Sequence, residues 1–245
     1  MITDFIADKT MISRRSDQPK LIYFAERKPK MDGSEFQERW RQHARLGMSM
    51  PRWKNIHRYV HCDAVEVAGL NLPVAWCDGV AIVWYQDEQS RLNHVSDKSA
   101  GPLLKQDEQE TFARSVYNFA ILTDEYVIKP GNGTVWKLFL RVWRRSEISL
   151  ANFKSWWLSD LGPRLLARLE AEGICQGYSQ NHARPPINGN EVVSICDCVD
   201  EISSGDAEAL DTAMAEAFQD EPKLHEYIET IKVNWTHETV LHEAQ

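Results

Sequence analysis

Lys20-Leu21 and Lys137-Leu138 each open an apolar run that closes on a basic pair, Arg27-Lys28 and Arg144-Arg145, at an offset of 117 residues. The same offset carries Phe36 onto Phe153 and Trp40 onto Trp157 without a gap, so a strand followed by a helix occurs twice. Farther along, the register drifts as loops change length. Tyr59 in RYVHCDA answers Tyr178 in GYSQNHA at an offset of 119, and DGVAIVWY is matched to NEVVSICD. The chain reads as two diverged copies of one unit.

Hydrophobic periodicity gives each copy the order β-α-β-β-α-β. In the first, strands are expected at residues 20–28, 56–64, 78–85 and 115–128, with helices at 34–47 and 88–100. In the second, strands are expected at 135–145, 174–182, 191–199 and 224–235, with helices at 150–170 and 206–218. The linker KPGNG at 129–133 stops the strand and turns the chain. This order is the ferredoxin-like unit, whose four-stranded sheet leaves one face uncovered. The expected fold class is therefore α+β: tandem ferredoxin-like units, residues 19–129 and 134–245, forming an intrachain dimeric α/β barrel. Residues 1–18 read as a mobile polar leader.

The 245 residues carry 28 Lys+Arg against 36 Asp+Glu, a formal charge of -8, so a phosphate backbone meets net repulsion and nucleic acid is not an expected partner. No apolar run reaches the ~18–20 residues that span a bilayer, and the start lacks a signal-peptide core. The expectation is a cytoplasmic protein without a membrane partner. Cys62, Cys77, Cys175, Cys196 and Cys198 are odd in number and contain no C-x-x-C, which points to reduced core thiols rather than a disulfide framework or zinc knuckle. The load of 9 Trp, 7 Tyr and 8 Phe suits a large core or an aromatic-lined pocket.

The segments KLIYFAERKPKMDGSEFQERWRQHARL, RYVHC, DGVAIVWY and DEQETF resemble the EthD family of the dimeric α/β-barrel superfamily. The specific part is F-x-x-x-W-x-x-H-A, here Phe36, Trp40, His43 and Ala44, supported by the D-G-V-A strand. The second copy keeps Phe153 and Trp157 but has Asp160 where His43 would fall, and it resembles a divergent unit. The resemblance implies an enzyme of aromatic, terpenoid or polyketide metabolism. Superfamily relatives include dehydratases, decarboxylases, cyclases and oxygen-using enzymes, so fold does not select the reaction.

Helical spacing places Phe36, Trp40, His43, Ala44 and Gly47 on one stripe facing the sheet, while strand alternation groups His57, Tyr59 and His61 on one face. Imidazole titrates near cellular pH and a phenol can polarise an oxygen, so His43, Tyr59 and His61 are the catalytic candidates. Trp40, His57, Asp78, Trp84 and Tyr85 are candidates for substrate binding in the first unit, and Asp160, Tyr178 and His182 for a second pocket. His57 and His61 lie ~13 Å apart along a strand and cannot share one metal. Glycine-rich phosphate cradles are missing from the sequence. The expectation is a cofactor-independent lyase acting on a small hydrophobic aromatic or polycyclic substrate, with a cofactor-free oxygenase and a non-catalytic binding barrel as alternatives. Self-association into a homodimer is compatible with this reading.

Overall fold

The computed structural model describes residues 14–99, 101–131, 136–185 and 194–244. Eight strands close a barrel: β2 (Lys20–Ala25), β3 (Ile56–Ala64), β4 (Gly79–Tyr85), β5 (Ala120–Lys129), β6 (Trp136–Arg144), β7 (Cys175–Ala183), β8 (Cys198–Ser204) and β9 (Ile228–Glu243). Their order is β5-β2-β4-β3-β9-β6-β8-β7, and β7 pairs back onto β5, every pairing being antiparallel. A closed sheet has no exposed edge. Counted within each half, the order is fourth, first, third, second both times. A short β1 (Arg14–Arg15) also pairs with β5, so residues 14 and 15 of the expected leader are tied down; residues 1–13 lie outside the described residues.

All seven residues of β4 are buried, because one face looks into the barrel and the other is covered by helices. Two helical layers pack on the outside. In the first half α1 (Gly33–Met48) starts at Asp32, whose carboxylate accepts the Glu35 N–H at 2.7 Å, and buries Phe36, Trp40 and Ala44. With α1 lie α2 (Glu88–Ser96) and α3 (Gly101–Thr111). In the second half α4 (Leu150–Trp156) continues through a π turn at Trp157–Leu161 into α5 (Gly162–Ala171), followed by α6 (Ala207–Gln219) and α7 (Leu224–Tyr227). No described helix is long and apolar enough to cross a membrane.

The barrel interior carries apolar side chains such as Ile22, Phe24, Val60, Ile82, Ile121 and Phe139 beside a layer of buried charge. Lys20 is fully buried; it bonds Glu125 at 2.7 Å and also Glu201. Lys137 pairs with Glu201 and Glu238, and Arg58 with Glu238. Burial works against the charge of Glu201, but the two lysines hold its pKa below the ordinary carboxylate range. Several of these contacts occur in matching pairs. Thr123 donates to the Lys20 carbonyl and Thr236 to the Lys137 carbonyl, both at 3.0 Å, and Asp78 and Asp197 accept the backbone N–H of Arg27 and Arg144 at 2.7 and 2.9 Å.

That last pair corrects the repeat. β8 begins at Cys198, and Ser203 faces Lys137 as Trp84 faces Lys20, so DGVAIVWY corresponds to DCVDEISS and not to NEVVSICD. Residues 191–193 of the strand expected at 191–199 lie outside the described residues, as do 132–133 of the linker and 135 of the following strand. The helix expected at 88–100 ends at Ser96, a further helix that the sequence reading did not expect follows at Gly101–Thr111, and the strand expected from 115 starts at Ala120, because Val116–Asn118 forms a 3-10 turn. The strand expected at 224–235 starts only at Ile228, after α7.

Candidate active site

Between α1, α3 and the outer face of the first half-sheet lies a cavity of about 120 Å³. His43, Ala44 and Gly47 of α1, Leu104 and Glu108 of α3, Tyr23 of β2, Ile56 and Tyr59 of β3, and Val83 and Tyr85 of β4 line it. Arg52 and Trp53, from the 3-10 turn Pro51–Asn55, and His94 of α2 border it too. It opens to one side.

His43 Nδ1 donates to Asp107 Oδ2 at 2.6 Å, and Arg39 donates to Asp107 Oδ1 at 2.6 Å. The carboxylate thereby fixes the tautomer, leaving the Nε2 lone pair without a partner among the described residues. Burial lowers the His43 pKa and Asp107 partly restores it, so the ring is neutral at pH 7. The Asp107 carboxyl is itself held low, because its bonds to Arg39 and His43 outweigh burial. His43 packs edge-on against Phe112, which limits its rotation.

A second chain of hydrogen bonds has a fixed direction. Arg41 can only donate, and it reaches His61 Nδ1 at 2.5 Å and Asp63 at 2.5 Å. His61 must then carry its proton on Nε2, which donates to the Tyr59 hydroxyl at 2.6 Å. Burial, then Arg41 and His43, push the His61 pKa well below its usual value and keep the ring neutral. Trp40 Nε1 donates to the Tyr23 hydroxyl at 3.2 Å, and the two phenols lie 2.9 Å apart. Each phenol oxygen already accepts one bond and one O–H joins the two. One O–H is left for the cavity. Burial pushes the Tyr23 hydroxyl up to about 12 and Tyr59 well above its usual value, so both remain protonated donors.

The structure thus brings His43, Tyr59 and Tyr85 to one cavity. His61 and Trp40 stand behind its wall, stacked with centroids 3.7 Å apart, and touch the cavity only through the phenols. His57 does not join Tyr59 and His61, because the β3 register shifts between Ile56 and Arg58 and puts Ile56 at the cavity instead. Trp84 points into the barrel, where its Nε1 donates to Glu125 at 3.0 Å. Asp78 sits at the far end of β4, paired with Arg27. Asp160 is on the surface in an i,i+4 pair with Arg164, turned away from Tyr178 and His182 by the π turn.

Tyr178 donates instead to Asp200, at 2.7 Å, as Trp157 does at 2.9 Å. Burial raises the Asp200 carboxyl to about 7 against these donors. His182 Nε2 pairs with Gln180, and burial drops its pKa to about 3. The second half therefore centres on a buried carboxylate where the first centres on Tyr23.

Sequence reasoning missed Tyr23, Arg52, His94, Asp107 and Glu108 as members of the site. Alternation along β2 would have found Tyr23, since Lys20, Ile22 and Phe24 face the barrel. The others come from separate elements whose meeting depends on the fold. All five cysteines are free and buried, and no cluster of three His, Cys, Asp or Glu among the described residues could hold a metal ion.

Residues 28–115 match the model of the EthD domain. No curated protein matches the chain in sequence. Among solved structures, an anthrone oxidase-like protein superposes with a TM-score of 0.62 at 9% identity, covering 95% of this chain and 97% of that one. A candidate monooxygenase from Fusobacterium nucleatum gives 0.55 at 13% identity, covering 92% and 94%. A heme-binding protein from Thermus thermophilus gives 0.51 at 10%, again covering 92% and 94%. At these identities the likeness establishes a shared barrel fold. Haem does not fit the cavity described above: a void of ~150 Å³ takes a single benzene ring, and this one, at about 120 Å³, has no room for a porphyrin.

Proposed function

Given that residues 28–115 match the model of the EthD domain, we propose that this chain is an enzyme that removes a proton from carbon on a small hydrophobic aromatic molecule and passes the resulting carbanion to dioxygen. The observation that carries this reading is the His43–Asp107 pair, whose free Nε2 belongs to a ring at the wall of a cavity shared with Tyr23, Tyr59 and Tyr85. A neutral imidazole with a fixed tautomer is a competent base at pH 7. A C–H next to an aryl ketone is acidic because its electron pair moves onto oxygen, and that oxygen needs a donor. The phenol pair has one O–H to give.

The oxidation balances: a methylene group and one dioxygen give a carbonyl group and one water. His43 takes the first proton, the carbanion reduces dioxygen and the new C–O bond forms a peroxide. Loss of the second C–H proton breaks the O–O bond and releases water. Side chains and dioxygen suffice for each step. The relatives named as an anthrone oxidase-like protein and a candidate monooxygenase support oxidation, and neither favours the lyase expected from the resemblance. The repeated strand order and the matched threonine and aspartate contacts support tandem ferredoxin-like halves, bounded near residues 19–129 and 134–245.

Propiophenone, a single-ring aryl ketone with a methylene beside the carbonyl, serves as the probe substrate. One dioxygen should be consumed per propiophenone converted to 1-phenylpropane-1,2-dione, at a rate unchanged by prior chelation. Turnover that continues at the same rate under argon, or that stops on chelation and returns with one metal, contradicts the reading.

A further inference from the structure

The cavity holds a charge that proton abstraction does not use. Arg52 lines it from the turn Pro51–Asn55. The Arg52 carbonyl accepts from Asn55 at 2.9 Å and from His94 Nδ1 at 3.1 Å, which pins the backbone there. Nearby arginines are spoken for: Arg39 pairs with Asp107 and Arg41 with Asp63. The Arg52 guanidinium makes no ion pair or hydrogen bond among the described residues. Burial leads the pKa shifts of His43, His94 and Glu108, and the Arg52 charge pulls each of them downward, so its field acts on the groups around the cavity.

Glu108 is the one acidic side chain among the lining residues. No ion pair joins it to Arg52: burial raises its pKa, the Arg52 charge works against that rise, and the Val116 backbone supplies a bond. A guanidinium carries five donors in a planar fork that matches a carboxylate, and leaving such a group half-desolvated beside aromatic walls is unfavourable until an anion meets it.

We propose that Arg52 anchors a carboxylate of the substrate, which makes the substrate class an arene carboxylate whose ring rests against Trp53, Tyr59 and Tyr85. This rests on reading the cavity as the active site. The carboxylate end fixes the orientation of the ring, so that one carbon is presented to His43 and one oxygen to the phenols.

Salicylate and salicylamide share a ring and a hydroxyl and differ in charge, so calorimetric titration of each into the full chain tests the assignment without requiring turnover. The native protein should bind salicylate at least about 10-fold more tightly, the value of one charge-assisted pair. Arg52→Gln should abolish that preference while leaving salicylamide affinity unchanged, and Arg52→Lys should retain part of it. Equal affinity of the native protein for both compounds overturns the carboxylate anchor and leaves the cavity reading standing. An Arg52→Gln variant that weakens both compounds equally also overturns the anchor. If the native protein binds neither compound, the anchor falls together with the cavity as a binding site.

Discussion

Asp107 Oδ2 stands 2.6 Å from His43 Nδ1, with Arg39 holding the other carboxylate oxygen. The contact does two things at once: it aims the ring, and it raises a pKa that burial lowers. Asp107→Asn should therefore reduce kcat by about 10²-fold, within the range for a mispositioned base, with the thermal midpoint nearly unchanged. Because Asp107 supports the imidazolium, its loss should also move the acidic limb of the kcat/KM profile to lower pH. A limb that stays in place contradicts the pairing.

Gly79 shows why the D-G pair belongs to the pattern. A Cβ built there would overlap the Trp40 ring, at 2.8 Å from Cη2, and would lie 3.1 Å from the Cys62 carbonyl. Trp40 cannot retreat freely, since it stacks on His61 and bonds Tyr23. Gly79→Ala should cost about 1–3 kcal/mol through overpacking, and turnover at permissive temperature should fall as His61 and the phenols shift. Urea denaturation and steady-state kinetics on the same preparation check both.

Asp200 gives stability a distinct pH dependence. Its folded carboxyl is raised to about 7, above an unfolded value near ~3.9, so its contribution is complete below ~pH 4 and is lost as pH rises through 7. Buried His94 and His182, lowered to about 4 and about 3, slope the other way: their contribution is complete above ~pH 6.5 and is lost on acidification. Asp200→Asn leaves the histidine slope and removes the carboxylate one. Relative to native protein the variant should gain about 2 kcal/mol between pH 5 and pH 8, read from urea midpoints. A constant difference across that range contradicts a protonated Asp200.

The repeat and the EthD motif made the barrel and the His43 stripe legible, because Phe36, Trp40 and their counterparts Phe153 and Trp157 recur at a fixed offset and helix α1 follows its spacing. The register of β8 was not legible: NEVVSICD is the more apolar segment, yet the strand that forms between β6 and β7 contains Asp200 and Glu201, whose burial depends on Trp157, Tyr178, Lys20 and Lys137. Strand alternation misplaced His57 for a local reason, a register shift that sequence does not announce. Asp107 belonged to a recognised segment, but its partner is 64 positions away and only the packing of α3 on α1 joins them.

If His43 takes a proton from carbon, hydrogen exchange reveals it without oxygen or a known pathway. Propiophenone incubated anaerobically in heavy water with the native protein should incorporate deuterium at its methylene carbon, followed by proton NMR. His43→Gln, folded by circular dichroism and with an unchanged melting midpoint, should slow that exchange about 10²–10⁴-fold. Exchange at the native rate in folded His43→Gln would mean that another group takes the proton.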